Sequence, residues 1–380
     1  MKLFQRLLVA PAALGLLSPL AANATEVNLN AISKYSGEEL ELDSNSFKSI
    51  STEKSLLISG GEGLMANDSD SFSTTTTASF SADFAVGAVD GGSATTDDAI
   101  MAGYGFQIDL NTSFTGEDSF DVSIDAGNAG TAGISEFDLN SASETLTVDG
   151  ISYTFPVGGA TLLVGDTVDG SSLFTTACAY GGPSNTLDDC GNVNAAFVGS
   201  GTTLGVSYDF DNGFTTALGY AGAGDSTDGL MTKEGADSYG GNVAYTADTY
   251  AVSVTYAMTE DANGVDDTYT ALNAYWTPDG FPSISAGYEW GDDGSAASTA
   301  DELTSYFFGI QSDFGPGTIG AALGTKTPTV EGSSELLMYE AFYSYDINDG
   351  MTITPLVYVK EFATGTDDET GLMVKTSFSF

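Results

Sequence analysis

The amino-acid sequence predicts an all-β protein, a transmembrane antiparallel up-and-down β-barrel. Sixteen strands is the preferred count, with fourteen or eighteen as alternatives. Three observations carry this prediction: apolar and polar residues alternate along many segments, short and long connections alternate between those segments, and aromatic residues bracket the short connections. Together these features are typical of barrels that have one rim in a confined compartment and the other rim facing outside.

The alternation is clear in the segment TTLGVSYDF at 202–210, where Leu204, Val206 and Tyr208 share one face. Half-polar segments of about nine to eleven residues match strands that cross a bilayer. In chain order, the predicted strands are 73–88, 101–113, 118–127, 145–156, 160–168, 202–210, 213–221, 238–247, 249–258, 268–277, 282–290, 304–314, 317–325, 336–347, 350–360 and 370–380. The segment 145–156 contains Asp149-Gly150, so a hairpin is an alternative there. Sixteen strands would enclose an aqueous channel rather than a filled core.

The connections after residue 202 alternate strictly between two kinds. The short turns are 211–213, 246–249, 277–282, 315–316 and 346–350, and the longer polar stretches are 222–237, 259–267, 291–303, 325–335 and 361–369. Aromatic residues bracket the short turns: Phe114, Phe120, Phe155, Phe210, Phe214, Tyr245, Tyr250, Trp276, Phe281, Phe314 and Tyr345. A ring of aromatics at one level predicts a girdle at a membrane–water interface.

Composition excludes several classes of function. The chain has 9 Lys plus Arg against 53 Asp plus Glu, a formal charge of -44, so it lacks the cations that nucleic-acid binding needs. The sequence has no His, which removes Ser-His-Asp and Cys-His catalysis, and known barrel hydrolases depend on His. The 42% hydrophobic and 11% aromatic content argues against a disordered acidic tail. We therefore expect no enzyme activity and no nucleic-acid partner.

The amino-terminal residues 1–24 are predicted to be a cleaved secretory signal peptide. Lys2 and Arg6 form a basic start, a short apolar run follows, and Ala22-Asn23-Ala24 supplies a small-x-small cleavage site. The apolar run is shorter than the ~20 residues of a membrane-spanning helix. We expect residues 25–71 to form a short segment, as a periplasmic tail, a plug or a trimer-stabilising arm, and residues 72–380 to form the barrel.

Export also bears on the cysteines. Cys178 and Cys190 are the only two in the sequence. In an oxidising compartment two such residues are expected to pair, here in a loop held in shape by the bond. Two unrelated thiols are the alternative.

Several segments resemble the outer-membrane porins of marine cyanobacteria, the Som-type or iron uptake porins. The similar segments are MKLFQRLLVAPAALGLLSPLAANATEVNLN at the start, FSTTTTASF at 72–80, NTSFTGEDSFDVSIDAGNAG at 111–130, ISYTFPVG at 151–158 and TGLMVKTSFSF at the end. The resemblance implies a homotrimer in outer-membrane lipid. It also implies that the barrel-assembly machinery reads the terminal Phe, which matches Phe380.

This chain departs from the family pattern before the barrel. Family members usually carry an S-layer-homology domain and a coiled coil there, and these bind the cell wall. About 47 residues separate Ala24 from Phe72, which leaves no room for either. We therefore do not extend wall anchoring to this protein.

A second departure concerns the strand after SFTG, where the family usually carries lumen-facing Arg residues. Here the corresponding positions are Asp121, Ser123 and Asp125. Strand alternation predicts the full pore-lining set as Asp83, Gln107, Asp109, Asp121, Ser123, Asp125, Asp209, Glu289, Asp313, Glu340, Lys360 and Lys375. Charge of mainly one sign concentrates counter-ions in a narrow passage, so we expect a cation-preferring channel. The alternative is that most acids only solvate outer loops.

The segment 169–201 is the longest connection and is predicted to be the third outer loop. In general porins, the third outer loop folds into the barrel and narrows it, and we expect the same here. Its acidic candidates are Asp166 and Asp169 at the base, with Asp188 and Asp189 beside Cys190. An external loop closed by its disulfide is the alternative.

One loop has spacing that suits a weak calcium site, at Asp261, Asn263, Asp266 and Asp267. It lacks a Glu at the twelfth position and flanking helices, so a solvated loop is favoured and no cofactor is required. The overall prediction is an outer-membrane porin for passive diffusion of small hydrophilic solutes and ions. The alternative is a substrate-selective channel or a surface-binding, adhesin-like barrel.

Overall fold

The computed structural model describes residues 75–92, 99–130, 134–137, 139, 144–196, 198–233, 235–260, 266–292, 294, 302–363 and 365–380. The predicted signal peptide and the segment 25–71 lie outside the described residues. Within the described part of the chain, no helix is long and apolar enough to cross a membrane.

The described chain folds as one closed antiparallel sheet. Its segments are β1 Thr76–Asp90, β2 Met101–Thr112, β3 Ser119–Gly127, β4 Thr147–Val157, β5 Ala160–Asp169, β6 Ser200–Asp209, β7 Phe214–Gly222, β8 Asp237–Thr246, β9 Tyr250–Glu260, β10 Asp266–Trp276, β11 Ser283–Asp292, β12 Glu302–Phe314, β13 Gly317–Thr325, β14 Thr329–Val330, β15 Leu337–Asn348, β16 Met351–Lys360 and β17 Glu369–Ser379. The two-residue β14 lies in the connection between β13 and β15 and pairs with β12. The other sixteen strands form the barrel, because β1 pairs with both β2 and β17. The predicted transmembrane barrel with sixteen strands is confirmed.

The predicted hairpin alternative at Asp149-Gly150 is wrong, because β4 is a single strand. Ser123 of β3 lies opposite Gly150, while the next residue, Ile124, lies opposite Val148. Asp149 is therefore the extra residue of a β-bulge, which keeps the strand continuous while it bends.

The two faces of the sheet differ in chemistry. In β9 the exposed side chains are Tyr250, Val252, Val254 and Tyr256, and the residues between them are buried. The same apolar exposed face continues across neighbouring strands through the register, for example Val254 opposite Leu272. In a barrel with an apolar band on one face, that face contacts lipid and the other face lines the interior.

Aromatic side chains lie at the rim formed by the short connections. Phe114, Phe281 and Phe314 are 63%, 74% and 65% exposed, respectively. Others contact one another along this rim, as Phe214 does with Tyr245 and Tyr245 with Tyr250. Their placement fits the predicted interfacial girdle.

The short turn between β2 and β3 is organised by Asp118. One oxygen of this carboxylate accepts hydrogen bonds from the Ser113 hydroxyl and from the amides of Phe114 and Thr115, at 2.8, 3.0 and 2.8 Å. The other oxygen accepts from the Tyr153 hydroxyl of β4 at 2.6 Å. These hydrogen bonds, that from Tyr153 foremost, hold the pKa of Asp118 well below its usual range.

Candidate functional site

The connection between β5 and β6, residues 170–199 and here called the third loop, lies against the inner face of the barrel. Its segment 175–181 runs across several strands, and every second backbone N–H donates to a side chain of the wall. The four bonds join Thr175 to Asn242 of β8 at 3.0 Å, Ala177 to Ser253 of β9 at 2.9 Å, Ala179 to Ser285 of β11 at 2.9 Å, and Gly181 to Gln311 of β12 at 2.8 Å. This segment therefore adheres to the wall like an added strand, with wall side chains as its acceptors.

The second half of the third loop returns along the same wall and is held by Glu289 of β11. The Glu289 carboxylate accepts from the amides of Asn194 and Ala195, both at 2.8 Å, and from the Asn194 side chain at 2.7 Å. The Asn273 amide group of β10 donates to the carbonyl of Cys190 at 2.9 Å. A side chain at Gly287 would overlap that carbonyl, so glycine is required for this close approach.

A disulfide joins the two halves of the third loop. Cys178 in the first half is bonded to Cys190 in the second, which confirms the predicted pairing. Two residues after Cys178, the Tyr180 hydroxyl donates a hydrogen bond to Glu340 of β15 at 2.6 Å. The loop is therefore fixed to both β11 and β15 and closed on itself.

Two of the residues predicted to line the pore, Glu289 and Glu340, are not open to it. Both lie on the inner face, as strand alternation predicts, but they are only 2% and 5% exposed because the third loop covers them. Both carboxylates accept hydrogen bonds that hold this loop in place. The open part of the interior must be lined by other residues.

In the connection between β3 and β4, residues 128–146 and here called the second loop, the described residues Ala129, Ile134, Phe137 and Leu139 pack inside the barrel. The loop's one-turn 3-10 helix Ser135–Phe137 brings Glu136 to an ion pair with Lys360 of β16. Buried apolar residues from both loops and the wall form one inner cluster: Ala85, Val89, Ala129, Ile134, Phe137, Leu139, Tyr180, Leu187, Cys190, Phe307, Ala322, Met338, Phe342, Leu356, Tyr358 and Met373. One side of the interior is therefore a packed core.

The inner face of β2 and β3 carries the predicted acidic residues at successive levels. The register places Asn111 opposite Asp121, Asp109 opposite Ser123, and Gln107 opposite Asp125. All six side chains are half-buried or exposed, in contrast to the covered Glu289 and Glu340. Asp83 of β1 continues this face, opposite Gly105 of β2.

Neutral donors orient these carboxylates. Asp109 accepts from Gln107 and from Ser123, both at 2.7 Å, and Asp121 accepts from Asn111 at 2.6 Å. Asp125 accepts from the Thr147 hydroxyl at 2.8 Å. Since these donors bring no positive charge, they fix the geometry of the carboxylates and leave their negative charge uncompensated.

Comparison with solved structures shows bacterial porins among the matches. OprB of Pseudomonas putida matches with a TM-score of 0.57 at 12% identity, over 80% of this chain and 94% of that chain. Engineered variants of the Rh. blastica porin match with TM-scores such as 0.53 at 16% identity, over 80% of this chain and 100% of theirs. The chain has a porin fold. No family model and no curated protein matches the sequence, so the resemblance to cyanobacterial porins stays a prediction.

In this porin fold the two predicted lumen lysines lie beside the second loop. Lys360 pairs with Glu136, and the ammonium of Lys375 lies 5.6 Å from the ring centre of Phe137. Asp209 and Asp313, at the short-turn ends of β6 and β12, are exposed. The basic residues are thus engaged by a loop, whereas these two acids face open space.

Four acidic candidates of the third loop have different placements. Asp166 lies within β5 opposite Ile151, on the outer face, so it does not belong to a constriction. Asp169 ends β5 opposite Ser200, and Asp188 and Asp189 are exposed in the second half of the loop. Of the calcium candidates, Asp261 and Asn263 lie outside the described residues, and Asp266 and Asp267 begin β10.

Sequence reasoning missed several residues of the interior. Asn111 and Asp346 lie on the inner face, and strand alternation from Asp109 and from the outward Tyr345 could have found them. The Thr352 hydroxyl donates to Asp346 at 2.7 Å near the short-turn rim. Strand alternation from the outward Val243 also places Asn242 on the inner face. Its contact with the third loop, like the roles of Tyr180 and Glu136, depends on where the two loops lie and had no signal in the sequence.

Proposed function

We propose that this protein is an outer-membrane porin that allows passive diffusion of small hydrophilic solutes and ions and prefers cations. The observation that carries the proposal is the acidic inner wall of β2 and β3, with Asp109, Asp121 and Asp125 at successive levels, which stays accessible while loops cover other parts of the wall.

The preference for cations follows from the distribution of charge. The carboxylates of the accessible wall have neutral hydrogen-bond donors, and the predicted opposing ammonium of Lys360 is paired with Glu136. In a narrow passage with low-dielectric walls, fixed charge of one sign raises the concentration of counter-ions and rejects ions of like charge. Small cations should therefore pass more readily than small anions of the same size.

The cellular setting of the proposal has separate support. The predicted signal peptide favours export, and the apolar outer face with its aromatic rim suits a bilayer. The resemblance to cyanobacterial porins supports a homotrimer and recognition of Phe380 by the barrel-assembly machinery.

The test is the reversal potential of the purified protein in a planar bilayer under a KCl gradient. We expect cation preference, reduced in Asp121→Asn/Asp125→Asn. The matched control is Asp166→Asn/Asp211→Asn, which removes the same charge from the outer face and from an exposed turn and should leave the reversal potential unchanged. Anion preference, or an equal shift in both variants, would refute the acidic-wall argument. A protein that inserts without ohmic current would refute the porin itself and favour a substrate-selective channel or a surface-binding barrel.

A further inference from the structure

We propose that Glu136 is a positioning residue for the conduction path: it fastens the turn Ser135–Phe137 between the third loop and β16, and so sets both the width and the charge of the passage. This inference rests on the proposed function and names a residue outside the barrel wall that controls it.

Glu136 contacts three residues from two separate parts of the chain, the third loop and β16. One carboxylate oxygen pairs with the ammonium of Lys360, and the other accepts from the Thr186 hydroxyl at 2.9 Å. The backbone carbonyl of Glu136 accepts from the amide of Asn185 at 2.9 Å. A single residue of the second loop therefore joins the third loop to the barrel wall.

The neighbours of Glu136 seat the turn in the inner cluster. Ile134 is fully buried and Phe137 is 2% exposed. A Cβ at Gly103 of β2 would lie 2.9 Å from Cδ1 of Ile134, so the turn also presses directly on the wall at that strand. The turn is thus packed between β2, β16 and the third loop.

The ion pair is buried, so the loss of either partner should destabilise the seated position of the turn. The Glu136 and Lys360 side chains are 7% and 14% exposed. Removal of one partner leaves the other as an uncompensated buried charge, which should shift the equilibrium from a seated to a released turn by more than about a hundredfold. Once the turn is released, the segment 184–187 of the third loop loses its support and the passage widens.

The pair also decides how much positive charge the passage contains. While Glu136 holds it, the ammonium of Lys360 is neutralised and does not oppose the acidic wall. In Glu136→Gln the turn is released and the lysine is freed, so the channel should conduct more and prefer cations less. In Lys360→Met the turn is released without a free lysine, so the conductance should rise while the cation preference is kept.

Single-channel recordings of these two variants test the proposal. The control is Glu144→Gln, which removes the same charge from an exposed residue of the same loop. The exchange of charges in Glu136→Lys/Lys360→Glu should restore conductance toward that of the unmodified protein. Unchanged conductance in both single variants would overturn the role in width, and equal reversal potentials in both would overturn the role in charge.

Hydrogen exchange of the residues 184–187 gives a second measurement that does not depend on conduction. We expect faster exchange in Glu136→Gln and, to a lesser degree, in Thr186→Val, which removes only the hydroxyl bond and should still fold. Unchanged exchange in both variants would refute the proposed role of Glu136 in holding the turn. If no variant carries current but exchange is still faster, the porin function is refuted. The role of Glu136 in holding the turn would then still be supported.

Discussion

Phe80 and Phe380 close the barrel by exchanging two backbone hydrogen bonds and stacking their rings. The amide of Phe80 donates to the carbonyl of Phe380 at 2.9 Å, and the amide of Phe380 donates back at 3.0 Å. The ring centroids are 5.7 Å apart with an interplanar angle of 11°. Phe380 thus completes the seam between β17 and β1.

Phe380→Ala should lower the stability of the seam while its backbone bonds remain. The loss of a stacked aromatic pair costs about 0.5–1.5 kcal/mol beyond the buried area. Urea unfolding, followed by the gel mobility of the folded and unfolded forms, measures the effect. Phe281→Ala is the control, since Phe281 is equally exposed at 74% but lies in a turn. Equal destabilisation by both variants would show that the closing contact has no special weight.

Asp118→Asn should destabilise the protein at neutral pH and much less in acid. Hydrogen bonds lower the pKa of Asp118, so its carboxylate stabilises the folded state above the unfolded-state pKa of about 3.9. That contribution is lost as the pH falls below this value toward the folded-state pKa. Unfolding free energies from pH 7 down to acid should therefore converge for the two proteins. A difference that is independent of pH, or the same profile in Glu117→Gln, would contradict this role for the Asp118 charge.

Cys178→Ser/Cys190→Ser should leave the barrel folded and loosen the third loop. The disulfide closes a loop with a sequence separation of 12, which constrains the released loop by ~3 kcal/mol in the chain-entropy model. We expect noisier single-channel current and faster hydrogen exchange over 182–189. Reductant should produce the same change in the unmodified protein and none in the double variant. Quiet, unchanged current in the reduced protein would mean that wall contacts alone hold the loop.

Tyr180→Phe should weaken the contact of the third loop with β15. The change leaves the buried Glu340 carboxylate without its hydroxyl donor, at a cost of about 1–3 kcal/mol. Exchange over 175–181 should quicken, whereas Tyr208→Phe on the outer face should leave it unchanged. Equal exchange in both variants would refute the anchoring role.

The same contact has an expected dependence on pH. Burial, followed by the nearby Glu340 carboxylate, raises the pKa of the Tyr180 hydroxyl above its usual range. The stability that this hydroxyl contributes is fully present below about pH 10, where an exposed tyrosine ionises, and declines above that value. Conductance that changes between pH 7 and pH 9 in the unmodified protein but not in Tyr180→Phe would contradict this.

The wall of the barrel could be predicted from the sequence because one physical rule governs it. Successive side chains of a strand point to opposite faces, so a residue such as Tyr250 fixes the facing of its whole strand. The same rule placed Glu289 and Glu340 on the inner face, where they lie. Asp149-Gly150 resembled a turn because a bulge and a turn favour the same residues.

The arrangement inside the wall could not be predicted in the same way. Strand alternation gives the direction of Glu340 but not the loop that covers it. Glu136 and Lys360 are separated by 224 positions, and Glu136 lies in a stretch without periodicity. Such contacts depend on the shape of two loops inside a closed space, which neither composition nor spacing encodes locally.

Because the inner cluster supports the two loops, the selection of solutes depends on close packing of the kind found in the core of a soluble protein. In a barrel lined only by polar side chains, a substitution at the wall changes a local charge or a local width. Here, trimming Met338, Leu356 or Met373 would leave a cavity beneath the two loops and let them shift. Conservative apolar substitutions at residues that never contact a permeating solute should therefore alter permeability. The tolerance of the channel to mutation should follow packing density rather than polarity.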